Sequence, residues 1–259
     1  MSGADLTAAE RRALRREAAL RLVYPRRCPL CGEVLGTIPV CETCRQTWQS
    51  LLLRPARLDP KTHYFGDLTG AAAAFQYEGA IRHAILRMKY GGARWYARDC
   101  GNWMAKTLFG CTFVQEYGIL IPVRMPAAGM AFDLVVPVPR SDKKRGYHVP
   151  ALLAWPVAKG LGLPLEAQAL VRIRFTRHQA GLALDERLAN VAGAFVPVPG
   201  CSMDGKRVLL VDDVITTGAT MAACAAALYQ AGAEEVFAVG LASASPAQHT
   251  AAEDTAPPQ

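Results

Sequence analysis

The sequence predicts an α/β protein in which helices flank a parallel β-sheet, with a small N-terminal four-cysteine zinc ribbon before it. The sheet is predicted because apolar strands alternate with helical segments through the second half of the chain, joined by short loops. The ribbon is predicted because four cysteines near the N-terminus form two C-x2-C pairs. A chain of 259 residues has room for one good-sized domain and such an appendage.

The composition is that of an ordinary globular chain with a basic excess. The chain is 51% hydrophobic and 20% charged, with a formal net charge of +7. No apolar stretch is long enough to span a bilayer and no secretory leader is recognisable, so a cytoplasmic protein is expected. Basic clusters within 1–57 and 138–190 would attract phosphate esters or nucleic acid, although a solvated basic face has the same composition.

Local signals divide the chain into four parts. The expected parts are a helical extension (1–24), the zinc ribbon (25–58), the larger α/β domain (59–245) and a disordered tail (246–259). The extension is predicted to be a helix over 4–23, because Thr7 and Glu10 form a capping box and Pro25 ends the pattern. Its apolar stripe consists of Leu6, Leu14, Leu22 and Val23.

The cysteines of the ribbon are spaced as C-x2-C-x9-C-x2-C. They are Cys28, Cys31, Cys41 and Cys44. Two residues between cysteines let both sulfurs meet one ion, so two knuckles joined by a hairpin would complete a closed tetrahedral site for structural Zn2+. Disulfides are the alternative, which a cytoplasmic location opposes. The remaining cysteines lack such spacing and are expected to be packing residues: Cys100, Cys111, Cys201 and Cys224.

Hydrophobic periodicity predicts the elements of the larger domain. Strands are expected at 69–79, 118–123, 133–139, 207–214 and 234–243, the second of these inside a loop-rich insertion at 110–131. Helices are expected at 80–92, 94–108, 151–160 and 219–231. The last two strands and the helix between them form a crossover unit, which implies parallel pairing.

The stretch VLLVDDVITTGAT, residues 208–220, places two carboxylates, Asp212 and Asp213, at the end of a buried strand. In an open parallel sheet, ligands bind beyond the carboxyl ends of the strands. The turn at 216–220 offers backbone N–H groups, hydroxyls and the positive end of a helix dipole, which together suit a phosphate. The carboxylates can accept hydrogen bonds from a vicinal diol, so the implied ligand is a sugar phosphate.

Other interpretations of this stretch fit less well. The P-loop motif and the dinucleotide-binding fingerprint are both absent. Adjacent strand residues point to opposite faces, so one metal ion seldom collects both aspartates. A purely structural turn would leave two acids buried at a high desolvation cost.

Residues 208–220 closely resemble the phosphoribosyl pyrophosphate (PRPP) signature of type I phosphoribosyltransferases: an apolar strand, two acids, then T-T-G-x-T. Three further segments, with the cysteine ribbon, resemble the ComF family of competence-associated, phosphoribosyltransferase-like proteins. They are LRMKYGG (86–92), VVPVPRSDKKRGYH (135–148) and TRHQAGLALDERLANVAGAF (176–195). The likeness covers about residues 25–243 and implies a type I phosphoribosyltransferase-like sheet.

The resemblance implies roles for the matching residues. Asp212 and Asp213 would be the catalytic acids and would hold the ribose hydroxyls. The 5′-phosphate would be bound by Thr216, Thr217, Gly218, Ala219 and Thr220. The pyrophosphate side, where Mg2+ would accompany PRPP, would be lined by Arg140, Lys144 and Arg145, with Lys89 as a further positive charge. The segment covering the site would include Gln179, Arg187 and Asn190.

One departure from the family pattern bears on turnover. The family reads R-G-[FY]-N-Q, but here His148 and Val149 follow Tyr147, and His148 alone is expected to be a local hydrogen-bonding group rather than a base. This departure favours binding of PRPP or a ribose phosphate over turnover, and the family resemblance implies that the protein handles single-stranded DNA in natural transformation, with other competence proteins as partners. The alternatives are an active phosphoribosyltransferase, which would displace pyrophosphate from PRPP with a nitrogen nucleophile, and a ligand-sensing regulator.

Overall fold

Helices and strands alternate along the chain in the computed structural model, which describes residues 6–36, 41–116, 119–125, 131–140, 146–173, 191 and 193–244. The helices are α1 (Ala8–Val23), α2 (Glu42–Ser50), α3 (Gly79–Tyr90), α4 (Tyr96–Phe109), α5 (Val149–Leu161) and α6 (Ala219–Gln230). The strands are β1 (Gly70–Gln76), β2 (Phe113–Glu116), β3 (Ile119–Pro122), β4 (Leu134–Pro137), β5 (Leu170–Arg172), β6 (Phe195–Pro197), β7 (Arg207–Ile215) and β8 (Glu235–Ser243). Within these ranges, no helix is both long and apolar enough to cross a membrane.

Four strands form the central sheet in the order β1-β8-β7-β4, and all three pairings are parallel. The predicted parallel α/β sheet is therefore confirmed. Its strands are almost continuously apolar because both faces are covered. In β7, Leu209 and Val211 enter the core on the face of α3, α4 and α5, whereas Val208 and Leu210 enter the core on the face of α6. The carboxyl ends of all four strands consequently lie along one edge.

The insertion after α4 contains more regular structure than the sequence indicated. The short strand expected at 118–123 is confirmed as β3, and it pairs antiparallel with β2, which was not predicted. A second antiparallel pair, β5 with β6, was also missed. These strands have three or four residues each, which is too short for an alternating pattern to emerge.

Helix α1 begins at its predicted capping box, and only part of its apolar stripe is buried. Thr7 N–H donates to Glu10 Oε2 at 2.7 Å, and Glu10 N–H donates to Thr7 Oγ1 at 3.2 Å. Leu14 is buried, in a small cluster with residues of β2 and β3. Leu22 and Val23 of the apolar stripe are 88% and 72% exposed, because the buried cluster with β2 and β3 includes Leu14 from the first half of the helix.

The predicted tail, residues 246–259, lies outside the described residues, and the division into four parts stays a prediction. The ribbon packs directly on the larger domain. Cys28, Cys41 and Cys44 belong to the same buried cluster as residues of α3 and α4. The core on this side of the sheet therefore extends without a break into the ribbon.

Candidate functional site

The two adjacent acids lie within β7, near the carboxyl edge of the sheet, and differ in their surroundings. Asp213 is buried, at 5% exposure, and its Oδ1 lies 2.6 Å from Lys89 Nζ on α3. Asp212 is partly exposed and accepts a hydrogen bond at 2.8 Å from the backbone N–H of Asp213. The fold thus supplies a cation for the more buried acid, as the presence of Lys89 in the motif had suggested.

Burial and neighbouring charges shift the pKa values of Asp212 and Lys89. Burial, together with the neighbouring charge of Asp213, raises the pKa of Asp212 to about 7, although Lys89 and Arg172 oppose this shift. Burial alone would lower the pKa of Lys89, but the carboxylates of Asp213 and Asp212 raise it above its usual value. Lys89 therefore stays charged, and Asp212 is the acid that becomes protonated when the pH falls below about 7.

The turn after β7 contacts the backbone of Tyr64, in the segment that precedes β1. Gly218 has φ +89° and is the N-cap of α6. A Cβ there would lie 2.1 Å from the carbonyl oxygen of Tyr64, so glycine is required for both conformation and space. Tyr64 N–H donates to the carbonyl of Thr217 at 2.7 Å. Thr217 Oγ1 accepts from Ala219 N–H at 3.5 Å, at the limit of a hydrogen bond.

This turn directs the N-terminus of α6 toward the edge that carries the acids. The first internal bond of the helix is Ala222 N–H to the carbonyl of Gly218, at 2.9 Å. The N–H groups that precede it have no partner within the helix ladder and give its N-terminus a partial positive charge. Acids and an anion-favouring helix end therefore share one edge of the sheet.

The loop after β4 reaches the same edge, and hydrogen bonds hold two of its described residues, Tyr147 and His148. Arg140 is exposed three residues after β4. His148 Nε2 donates to the carbonyl of Val138 at 2.7 Å, which confirms it as a local hydrogen-bonding group. Tyr147 Oη donates to the carbonyl of Met88 at 2.6 Å. Other predicted residues lie outside the described residues: Lys144, Arg145, Gln179, Arg187 and Asn190.

Several residues near this edge were not identified from the sequence. His63 is buried, with Nε2 2.9 Å from Ser243 Oγ at the end of β8 and Nδ1 2.9 Å from Thr62 Oγ1. Burial lowers the pKa of His63 and so favours a neutral ring. Arg172, on β5, is close enough to act electrostatically on Asp212. None of them stands in a pattern that would have indicated its position.

The four ribbon cysteines converge as predicted. Their sulfur atoms all lie within 4.8 Å of one another, and the sulfurs of Cys31 and Cys41 are 3.8 Å apart. Four thiolates about 2.3 Å from a tetrahedral Zn2+ would be separated by about 3.8 Å. The cluster can therefore hold a metal ion and fits structural zinc. Burial raises the thiol pKa of Cys28, an effect that a bound cation would reverse.

The two halves of this cluster differ in structure. The first is a knuckle in which Gly32, at φ +83°, donates its N–H to the carbonyl of Cys28 at 2.9 Å. In the second, Cys41 is the N-cap of α2 and Cys44 lies in its first turn; this helix was not predicted from the sequence. Among the remaining cysteines, Cys201 is partly exposed and the other three are buried as expected for packing residues.

Known proteins similar to this chain fall into a domain family and a set of curated relatives. Residues 173–255 match the family described as the phosphoribosyl transferase domain. The chain is 34% identical over 116 residues to Competence protein F of Haemophilus influenzae, across 43% of this chain and 51% of that protein. It is 37% identical over 110 residues to DNA utilization protein YhgH of Salmonella typhi, across 40% of this chain and 46% of that protein.

The chain therefore spans about half the length of the curated relatives that it matches. Among solved structures, glutamine PRPP amidotransferase from B. subtilis, complexed with ADP and GMP, aligns with a TM-score of 0.33 and 22% identity. That alignment covers 55% of this chain and 25% of the other, and an overlap of this size supports no inference about function.

Proposed function

Because this chain is a ComF-family, phosphoribosyltransferase-like protein, we propose that it binds PRPP or a related ribose phosphate at the carboxyl edge of its sheet. One observation carries the proposal. The acid pair of β7, with Lys89 beside Asp213 at 2.6 Å, is followed directly by the Gly218 turn into the N-terminus of α6. Acceptors for a diol and donors for a phosphate thus lie a few residues apart on one strand–turn–helix unit.

Each described part has a distinct task in this proposal. Asp212 and Asp213 accept hydrogen bonds from the ribose hydroxyls, while the turn at 216–220 binds the 5′-phosphate through backbone N–H groups and the helix dipole. Lys89 limits the negative charge that the acids present to an anionic ligand. Arg140 lies at the edge where a pyrophosphate group would extend. Mg2+ bound with the ligand would neutralise part of the charge on that pyrophosphate.

Calorimetry with PRPP and Mg2+ tests the sugar-phosphate site. The wild-type protein should bind, and the double variant Asp212→Asn with Asp213→Asn should lose at least about tenfold in affinity, equivalent to about 1.4 kcal/mol. Asp67→Asn is the matched control, since Asp67 is an exposed acid that precedes β1. No heat with the wild-type protein, or equal binding by the double variant, would remove the proposal.

We further propose that the protein handles single-stranded DNA, together with other competence proteins. The names of the curated relatives and the net charge of +7 support this part. Helix α1 contributes exposed arginines at positions 11, 12 and 16, which suit a phosphate backbone. Filter binding of a single-stranded oligonucleotide should weaken steeply between 50 and 200 mM salt, on the order of the losses seen when several phosphates are contacted. Affinity indifferent to salt would contradict it.

An active phosphoribosyltransferase remains the second candidate. It is favoured by the exposed guanidinium of Arg140 at the sheet edge, where a departing pyrophosphate would need a cation. Pyrophosphate release from PRPP should then be detected with at least one member of a panel of nitrogen nucleophiles. Binding of PRPP without release across the panel would leave the binding function alone.

A further inference from the structure

The last turn of α3 touches the cysteine ribbon through one side chain. Arg87 Nη2 donates to two carbonyl oxygens inside the first cysteine knuckle, those of Pro29 at 2.7 Å and Leu30 at 2.5 Å. The guanidinium also packs on the knuckle, since a Cβ at Gly32 would lie 3.5 Å from Nη1. Its other face lies 5.7 Å from the ring centroid of Tyr96. The position of Arg87 therefore depends on the shape of the knuckle.

The next two residues of the same turn touch the sheet-edge site. The carbonyl of Met88 accepts the hydrogen bond from Tyr147 at 2.6 Å, just after the loop that follows β4. Lys89 forms the 2.6 Å ion pair with Asp213. Successive helix residues point about 100° apart, so one turn can reach the ribbon with Arg87 and the acid pair with Lys89.

The helix continues for only one residue after Lys89, so few helical hydrogen bonds stabilise this last turn. Helix α3 ends at Tyr90, and Gly91 N–H bonds back to the carbonyl of Arg87 at 3.0 Å. The last residues of a helix lack following turns that would accept their carbonyls, so helix ends fray unless side chains anchor them. Besides the Lys89–Asp213 ion pair, the anchors among the described residues are the buried side chain of Met88, the hydrogen bond from Tyr147 to its carbonyl, and the contacts of Arg87 with the knuckle.

We propose that Arg87 is a positioning residue that couples metal occupancy of the cysteine cluster to ligand binding at the sheet edge. With the knuckle ordered by its metal, Arg87 holds the last turn of α3 so that Lys89 meets Asp213. With the knuckle disordered, the two carbonyls lose their fixed positions and the turn relaxes. Asp213 then becomes a buried carboxylate without its counter-charge, which is unfavourable. Coupling of this kind is reciprocal, so ligand binding should also tighten metal binding.

The coupling is measured by the reactivity of lysines, and only its effect on affinity rests on the proposed function. Acetylation by acetic anhydride, followed by mass spectrometry, reports how well each ammonium group is protected. Lys159 is the internal reference, because it is also ion-paired, with Glu10 at 3.2 Å, and its side chain is 20% exposed compared with 25% for Lys89. The ratio of the two rates separates local loosening at α3 from general unfolding.

In Arg87→Leu with its metal retained, Lys89 should be acetylated several-fold faster relative to Lys159, and affinity for PRPP with Mg2+ should fall at least about fivefold. Arg87→Lys, which keeps a hydrogen-bond donor, should restore part of the protection of Lys89 and part of the affinity for PRPP. Arg45→Leu is the matched control, since Arg45 lies in the ribbon and its ion pair among the described residues is with Glu42 on the surface, and it should match the wild type.

An unchanged Lys89 to Lys159 ratio in metal-loaded Arg87→Leu would overturn the coupling. Should that variant not fold, chelation of metal from the wild-type protein gives the same test: a rise at Lys89 alone supports the proposal, and equal rises at both lysines, or none, contradict it. Absence of PRPP binding by the wild-type protein would refute the proposed function, while the lysine ratio would still decide the coupling.

Discussion

The cysteine ribbon and the acidic sheet edge both contain closely spaced pairs of potential ligand residues. The two sites differ in how far apart in sequence their other components lie. The four thiols come from one short stretch, residues 28–44, and surround a common point. The acids of β7 are adjacent in sequence, yet the cation beside Asp213 comes from α3 and the segment that holds the following turn contains Tyr64. Spacing alone can therefore reveal a local metal site, whereas the electrostatics of the sheet edge depend on the whole fold.

The largest expected effect is that of breaking the local site. Cys44→Ser should abolish stoichiometric metal binding and unfold the ribbon, because structural zinc sites in small domains contribute about 10–16 kcal/mol of apparent binding energy. Metal content and thermal unfolding measure this. Cys201→Ser, at a partly exposed cysteine outside the cluster, should retain both properties. A Cys44→Ser protein with one bound metal and wild-type stability would show that the thiols do not form the site.

A smaller effect should follow from breaking the ion pair that joins the ribbon to a distant helix. Arg26 forms a buried two-bond pair with Asp99 of α4, with Nε–Oδ2 and Nη2–Oδ1 distances of 3.0 and 2.9 Å. Arg26→Met should cost about 3–5 kcal/mol in the free energy of unfolding by urea, because Asp99 is left buried and unpaired. Adding Asp99→Leu should recover much of the loss.

An exposed ion pair in the same ribbon is the control for the buried pair. Arg45 and Glu42 are 2.8 Å apart on the surface of the same ribbon, and Arg45→Ala should cost only about 0–1 kcal/mol. Retention of metal by Arg26→Met would show that the ligands are local although the attachment of the ribbon is not. Equal destabilisation by the two variants would contradict the buried role of Arg26.

The predictable parts of the fold were those with long or specific local patterns. The strands β7 and β8 were predicted because they contain the apolar runs VLLV (208–211) and VFAVGLA (236–242). Helix α2 was missed because its sequence, ETCRQTWQS, is mostly polar and its burial comes from packing of the ribbon on α3. Leu22 was placed in the apolar stripe of α1, but it is exposed, since periodicity reports which face of a helix is apolar and not how far its partner extends along that face.

The same limit applies to the candidate site. Asp212, Asp213 and Gly218 were identified because strand, acids and turn are contiguous in sequence. His63 was not, because its partner Ser243 lies 180 residues away and neither residue belongs to a motif. Tyr64 acts through its backbone, which no side-chain pattern reports. Contacts of this kind are determined by tertiary structure alone.

A further effect concerns pH and compares Asp212, near the carboxyl end of β7, with Asp133, which is bonded to Arg207 at the other end of that strand. The pKa of Asp212 is raised by burial and by Asp213 to about 7, so the stability conferred by its protonated form is complete below about pH 4 and is lost as the pH rises to about 7. Asp212→Asn should therefore be more stable than the wild type at pH 8, on the order of 1 to 2 kcal/mol for a partly exposed group.

Urea denaturation at pH 8 and pH 5 measures this difference, which should shrink at the lower pH. Asp133 is the control of opposite sign, because its bonds to Arg207 at 2.9 to 3.2 Å lower its pKa. Asp133→Asn should be less stable than the wild type at pH 8, and its deficit should persist at pH 5 because the stability conferred by Asp133 is lost only below about pH 4. An Asp212→Asn protein whose free energy of unfolding at pH 8 equals that of the wild type would contradict this prediction. It would show that Lys89 compensates the charges of both acids at the carboxyl edge.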